Sequence, residues 1–273
     1  MSDPLALCAA GAISPQVAVA RLVLAGATID PRAIAAGAPA GSPLLEVARL
    51  AGEHRGKLDR LARLAAAGLD PQGDDLVGAT ARLFDRLAAE EPEAAVAFYS
   101  LGDPALLAAA TTELVEVVRA WTPVEGARVL DFGCGIGRVA LALAPYAGSV
   151  TGVDISAAMI AQALARADGI ANVRFETVDG DAPPFADASI DLALAVDSFP
   201  YLVRAGVAEA QLAEFARVLR PGGDLLVFNW SYRGDEAADA REAAGAAGFT
   251  VQRSGERPFA IWDASGFHLR RTA

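Results

Sequence analysis

Positive charge is in short supply in this chain: 23 Lys and Arg stand against 34 Asp and Glu, for a net charge of −11. Nucleic-acid binding draws much of its energy from cationic side chains that displace counterions from phosphates. A polyanionic partner is therefore not expected, which turns attention away from tRNA, rRNA and DNA as substrates. Cysteine is scarcer still, with Cys8 and Cys134 far apart. They suggest no disulfide framework, the usage of a reducing cytosol, and both read as small buried residues. The two histidines, His54 and His268, form no visible triad or metal-ligating cluster, so no metal is expected. Long apolar runs are missing too: no stretch approaches the roughly 20 residues of a membrane span. The opening "MSDPLALCAAGAISP" has an acid where a signal peptide carries positive charge. These absences describe a soluble cytoplasmic protein without a membrane partner. What remains is a chain of 273 residues, 53% hydrophobic, which is enough for a sizeable core.

Up to about Ala120 no convincing strand is visible. Ala/Leu-rich helical segments are punctuated by "GATIDP", "GAPAGSP" and "GLDPQGDD", where Pro, Gly and acids break or cap helices. "PLLEVARLAGEHRGKLDRLARLAAAGL" spaces its apolar residues by three and four, predicting one amphipathic helix with His54 and Lys57 as solvated side chains. "GDPALLAAATTELVEVVRAW" predicts another, with Asp103 as N-cap before Pro104. From Ala127 the texture changes to short apolar runs alternating with helical stretches. "ARVLDFG", "SVTGVDIS", "NVRFETVDGD", "SIDLALAVDS" and "GDLLVFNWSY" read as strands. Such alternation implies a parallel sheet covered on both faces, with ligands at the carboxyl ends of its strands. Two last strands, near 249–254 and 266–271, follow a helix at 235–247 without a second helix between them, which permits an antiparallel edge pair.

The carboxyl end of the first strand runs into "VLDFGCGIGRVALAL". Gly135, Gly137 and Ala140 satisfy a G-x-G-x-x-A pattern, so glycine spacing alone leaves a nicotinamide or flavin dinucleotide open. Asp131 argues against it. A pyrophosphate there would face a fixed negative charge, whereas the ammonium and sulfonium of S-adenosylmethionine would be attracted by one.

In "VLDFGCGIG", "VTGVDIS", "VDGDAPPFADASIDLALA" and "RVLRPGGDLLVFN", taken in this order, the sequence resembles the class I S-adenosylmethionine-dependent methyltransferase family. The resemblance implies an α/β fold: a Rossmann-like, doubly wound, seven-stranded sheet, mostly parallel with an antiparallel last strand. Residues 101–273 would form the catalytic domain and residues 1–100 an all-helical extension that roofs the acceptor pocket or makes a dimer contact. It implies S-adenosylmethionine as cofactor, held by Asp131, Gly133, Cys134, Gly135 and Gly137 in the first loop. Asp154 would hold the ribose hydroxyls, with Ile155 and Met159 beside it. Asp181 would accept from the adenine amino group and Ala182 would offer its backbone amide. Cys134 is packing beside the ligand rather than a nucleophile.

Methyl transfer needs little machinery beyond alignment and exclusion of water, so the acceptor side is less legible. Asp197 in "AVDSFPYLV" stands where acceptor-facing residues of the family cluster, as a base or as a turn cap. Tyr99 in "VAFYSLGDP" is the expected lid residue, and Phe199, Tyr201, Trp230 and Tyr232 are expected around the acceptor. His268 suits a general base by its ordinary pKa of about 6.5, but its place in an edge strand favours a structural role. The expected activity is methyl transfer to a small molecule through O, N, S or C. A non-catalytic cofactor-binding partner protein and a nicotinamide-dependent oxidoreductase are the alternatives.

Overall fold

A computed structural model describes residues 3–69, 75–179, 185–231 and 236–272. Seven strands form one sheet in the order β3-β2-β1-β4-β5-β7-β6. They are β1 (Arg128–Phe132), β2 (Ser149–Asp154), β3 (Val173–Thr177), β4 (Ile190–Val196), β5 (Leu219–Phe228), β6 (Phe249–Glu256) and β7 (Gly266–Arg271). The pairs among β1 to β5 are parallel, while β7 runs antiparallel to both β5 and β6. Alternate side chains of each central strand point to opposite faces. Val129, Leu192, Leu194, Leu226 and Phe228 join the core on one face; Leu130, Ala193, Ala195, Leu225 and Val227 join the core on the other.

The first face is covered by α8 (Pro104–Trp121), α9 (Arg138–Leu143) and α10 (Ala157–Arg166), the second by α11 (Phe199–Ala205), α12 (Ala208–Val218) and α13 (Glu236–Ala246). This is the doubly wound sheet expected, with its antiparallel strand at the expected end. The short helix α11, directly after the β4 loop, has no counterpart in the strand-and-helix pattern read from sequence.

Ahead of the sheet lie α1 (Pro4–Ala9), α2 (Pro15–Leu24), α3 (Pro31–Gly37), α4 (Leu44–Glu53), α5 (Arg55–Ala66), α6 (Leu76–Glu90) and α7 (Pro92–Val96). The amphipathic segment is two helices, not one: at His54 the backbone leaves the helix (φ −100°, ψ 13°). Leu50 before the break and Leu61 and Leu64 after it remain buried in one core. His54 is not simply solvated. Its ring lies 3.6 Å from Asp103, and Lys57 Nζ donates to the same carboxylate at 3.2 Å. Asp103 meanwhile caps α8, accepting from the amides of Ala105 and Leu106, as its place before Pro104 predicted.

The helical region is fastened to the rest of the chain at several points. Ser14 Oγ donates to the Ile261 carbonyl at 2.6 Å and Arg21 pairs with Asp263 at 2.5 Å. Nearer the glycine-rich loop after β1, Asp85 on α6 accepts from Ser156 Oγ at 2.6 Å and from the Ala158 amide at 3.1 Å. A carboxylate on one element thus caps the start of α10 on another, where the amides of a first helical turn lack helical partners.

Candidate active site

The cleft lies at the carboxyl ends of β1, β2 and β4, under α6 and α7. Its floor is Asp131, Gly133, Cys134 and Gly135, its far wall Asp154 and Ile155, and its near wall Asp197, Ser198 and Tyr201. Val77, Thr80 and Phe84 of α6 and Ala95 and Val96 of the α7 segment roof it. The space, counted with its open mouth, is about 1120 Å³, room for a nucleoside-sized ligand and a second molecule.

The glycines of the first loop adopt left-handed backbone, with φ of +71° at Gly133 and +54° at Gly135. A Cβ would also collide there, coming 2.4 Å from Ser198 Cβ at Gly133 and 2.5 Å from Val96 Cγ1 at Gly135. Both positions therefore need glycine for backbone freedom and for close packing by neighbours from two different parts of the chain.

Asp131 is buried, and its Oδ2 accepts from the Ala140 amide at 3.1 Å, within the first turn of α9. Burial pushes its pKa up to about 7, against the pull of Arg138 and the Ala140 amide. Asp154 closes the loop from the other side: Oδ2 accepts from the Gly135 amide at 2.8 Å and Oδ1 from the Ser156 amide at 2.9 Å. It too is pushed up, chiefly by burial. Each carboxylate oxygen has more than one lone pair, so these bonds orient Asp154 without exhausting its capacity to accept.

Asp197 stands at the tip of β4 with φ +58°, beside Asn229 at the tip of β5 with φ +64°. Asp and Asn tolerate this conformation better than other side-chain-bearing residues. The Asp197 amide donates to the Phe228 carbonyl, and Asn229 Nδ2 donates to Asp197 Oδ1 at 2.9 Å. Asn229 is in turn tied to Ser265 through both backbone and side chain. The carboxylate is thus fixed by the ends of three strands.

Several residues expected at the site lie elsewhere. Phe199 and Trp230 are buried in the second core, their ring centroids 4.4 Å apart. Pro200 sits in the first turn of α11, and the helix turns Phe199 inward while Tyr201 reaches the cleft. Met159 is fully buried in the first core, off the cleft wall. Tyr99 is also buried behind the wall: its ring stacks on Trp262 at 5.3 Å, and its hydroxyl accepts from Arg138 at 3.4 Å. Tyr99 is thus placed to hold Arg138. Burial raises the Cys134 thiol well above its ordinary value, in keeping with packing beside a ligand. His268 is buried and bonded to Asp224 at 2.8 Å, a structural pairing away from the cleft. Asp181, Ala182 and Tyr232 lie outside the described residues. Sequence reasoning missed Arg138 and the roof residues Thr80 and Phe84. Arg138 follows the last loop glycine and is the signal that was available; the roof residues carry no local motif.

Among the described residues lining the cleft, three carboxylates, Asp131, Asp154 and Asp197, face one guanidinium, Arg138. The family model for methyltransferase domains matches residues 129–223, from the start of β1 into β5. Residues 129–223 form a methyltransferase domain. That match favours the methyltransferase reading over the dinucleotide alternative. The 2-methyl-6-phytyl-1,4-hydroquinone methyltransferase of Synechocystis sp. is 35% identical over 111 residues, 40% of this chain and 34% of that protein. A demethylmenaquinone methyltransferase of Tropheryma whipplei is 38% identical over 109 residues, 39% of this chain and 43% of that protein. The match spans about a third to two fifths of the length of these curated relatives. In fold, a SAM-dependent methyltransferase from Aquifex aeolicus matches with a TM-score of 0.50 at 21% identity, over 62% of this chain and 92% of that one. No described helix is long and apolar enough to cross a membrane.

Proposed function

We propose that the protein transfers the methyl group of S-adenosylmethionine to a small-molecule acceptor bound beneath the α6–α7 roof. The observation that carries this reading is the cleft wall itself: three carboxylates against one guanidinium favour an ammonium and a sulfonium and disfavour a diphosphate. Asp131 and the loop of Gly133, Cys134, Gly135 and Gly137 are assigned to the cationic end of the cofactor, and Asp154 to the ribose hydroxyls. Ile155, Asp181 and Ala182 are assigned to the adenine.

When bound, the cofactor supplies a methyl group already activated on a cationic sulfur. Asp197 would take the proton of an acceptor hydroxyl or amine held beside that methyl group. Asn229 keeps the Asp197 carboxylate aimed during that step. Val77, Thr80 and Phe84 keep water out, and the residue-by-residue alignment of the two ligands supplies most of the rate. Residues 1–100 act as the lid over a catalytic domain at 101–273. Small-molecule acceptors are also what the two relatives above are named for, and the acidic charge of this chain points the same way.

The test is incubation of the purified protein with methyl-labelled S-adenosylmethionine and fractionated metabolite extract. Label should move into a small product, with S-adenosylhomocysteine released only when the active fraction is present. Asp197→Asn should bind the cofactor within about twofold of wild type yet turn over on the order of 10²–10⁴ more slowly. Tight cofactor binding with no turnover across all fractions would instead favour a non-catalytic partner protein.

A further inference from the structure

A second chamber opens from the cleft into the helical region. Leu61, Leu64, Leu69, Leu83, Leu87 and Ala94 line it. Phe84, Ala95, Val96, Asp197 and Tyr201 line both spaces, so the chamber meets the cleft where the Asp197 carboxylate stands. Phe84 and Tyr201 pack edge to face at this join, centroids 5.4 Å apart. Counted with its open mouth, as for the cleft, the space is about 710 Å³, and its interior is about 190 Å³; dry apolar cavities of roughly 150 Å³ take up benzene. Glu91, the charged residue on the leucine-rich part of the wall, is bound to Arg60. Leu24 also lines the chamber and is half-exposed, so it marks a way out to solvent.

We infer that the acceptor is amphipathic: a polar head bearing a transferable proton sits at Asp197, and an apolar body runs past the Phe84–Tyr201 pair into the leucine chamber toward Leu24. The inference rests on the methyl-transfer reading of the same cleft. It follows from two joined spaces: the cleft with Asp131 and Asp154, the leucine chamber, and between them a shared lining that includes Asp197, Phe84 and Tyr201. An acceptor polar throughout would leave its groups unpaired against those leucines, which costs more than the burial returns. An apolar arm gains about threefold to fourfold in affinity for each methylene buried.

The probe is a series of 4-alkylphenols, ethyl to octyl, titrated calorimetrically into the full chain with and without S-adenosylhomocysteine. Affinity should climb about threefold to fourfold per methylene and level off once the arm passes Leu24. Ala94→Leu, which intrudes on the chamber and not on the cleft, should weaken the longer phenols at least tenfold and leave S-adenosylhomocysteine affinity within twofold. Leu87→Ala should move the levelling point to a longer arm, and it keeps the test sound if Ala94→Leu fails to fold. Affinity independent of arm length, or unmoved by both variants, would overturn the chamber assignment. Absence of S-adenosylhomocysteine binding alongside a steep phenol series would instead contradict the methyl-transfer reading and leave the chamber standing.

Discussion

Asp131 is the residue whose chemistry is most tightly bound to its surroundings. Its carboxyl is buried, has a pKa near 7, and lies at the start of a helix beside Arg138. An unfolded aspartate titrates near pH 4, at about 3.9, so the ligand-free fold binds a proton at Asp131 that the unfolded chain has released. The stabilising contribution is full below about pH 4 and is lost as pH rises through 7. A cationic ligand reverses the preference by favouring the carboxylate. Affinity for S-adenosylmethionine should therefore rise as pH passes from 6 to 8, with net proton release detected by calorimetry in buffers of different ionisation enthalpy. In Asp131→Asn the pH slope of both Tm and affinity should flatten relative to wild type; slopes equal to those of wild type would show that another group carries the proton. Asp154 acts differently, since both its oxygens already orient backbone amides. Asp154→Ala should weaken cofactor binding by roughly 30-fold to 150-fold, the loss of charge-assisted bonds worth about 2–3 kcal/mol.

Helix α6 links the roof to the cofactor side of the sheet. Its inner residues Val77, Thr80 and Phe84 face the cleft, and Asp85, next along the chain, clamps the start of α10. Removing the clamp in Asp85→Ala should cost about 1 kcal/mol, the usual worth of a capping carboxylate, or about 2–4 °C in Tm. The KM for the acceptor should rise with little change in cofactor affinity, a split that steady-state kinetics and calorimetry together would read. This clamp could not be seen in the sequence, because it joins Asp85 to Ser156 across 71 positions. The strands were legible because their apolar runs are short and bounded by glycine and acid. The capping of α8 was legible because Asp103 and Pro104 are adjacent and act locally. The break at His54 was hidden: no proline marks it, and the leucine spacing runs through it onto one core. Phe199 and Trp230 were misplaced for a related reason. An aromatic next to a loop looks the same in sequence whether it faces the pocket or the core, and only the inward turn of α11 decides.

In the whole molecule, the sheet is ordinary for its class and the individuality lies in the helices before it. They supply the roof, the second chamber, and Val96 against Gly135 of the glycine-rich loop, so the helical region and the cleft are expected to melt together as one transition. Both thiols are buried and burial raises the pKa of each, which keeps them from forming reactive thiolates. Native protein should react with iodoacetamide slowly at pH 7.5 and denatured protein should yield two thiols at once; a fast native thiol, blocked by cofactor, would place Cys134 on an open surface.

The most direct measurement is a crystal structure of the full chain with S-adenosylhomocysteine. The account predicts ribose hydroxyls within hydrogen-bond distance of Asp154 and the sulfur directed at Asp197, toward the join with the leucine chamber. A ribose bound away from Asp154, or a sulfur turned from Asp197, would contradict it.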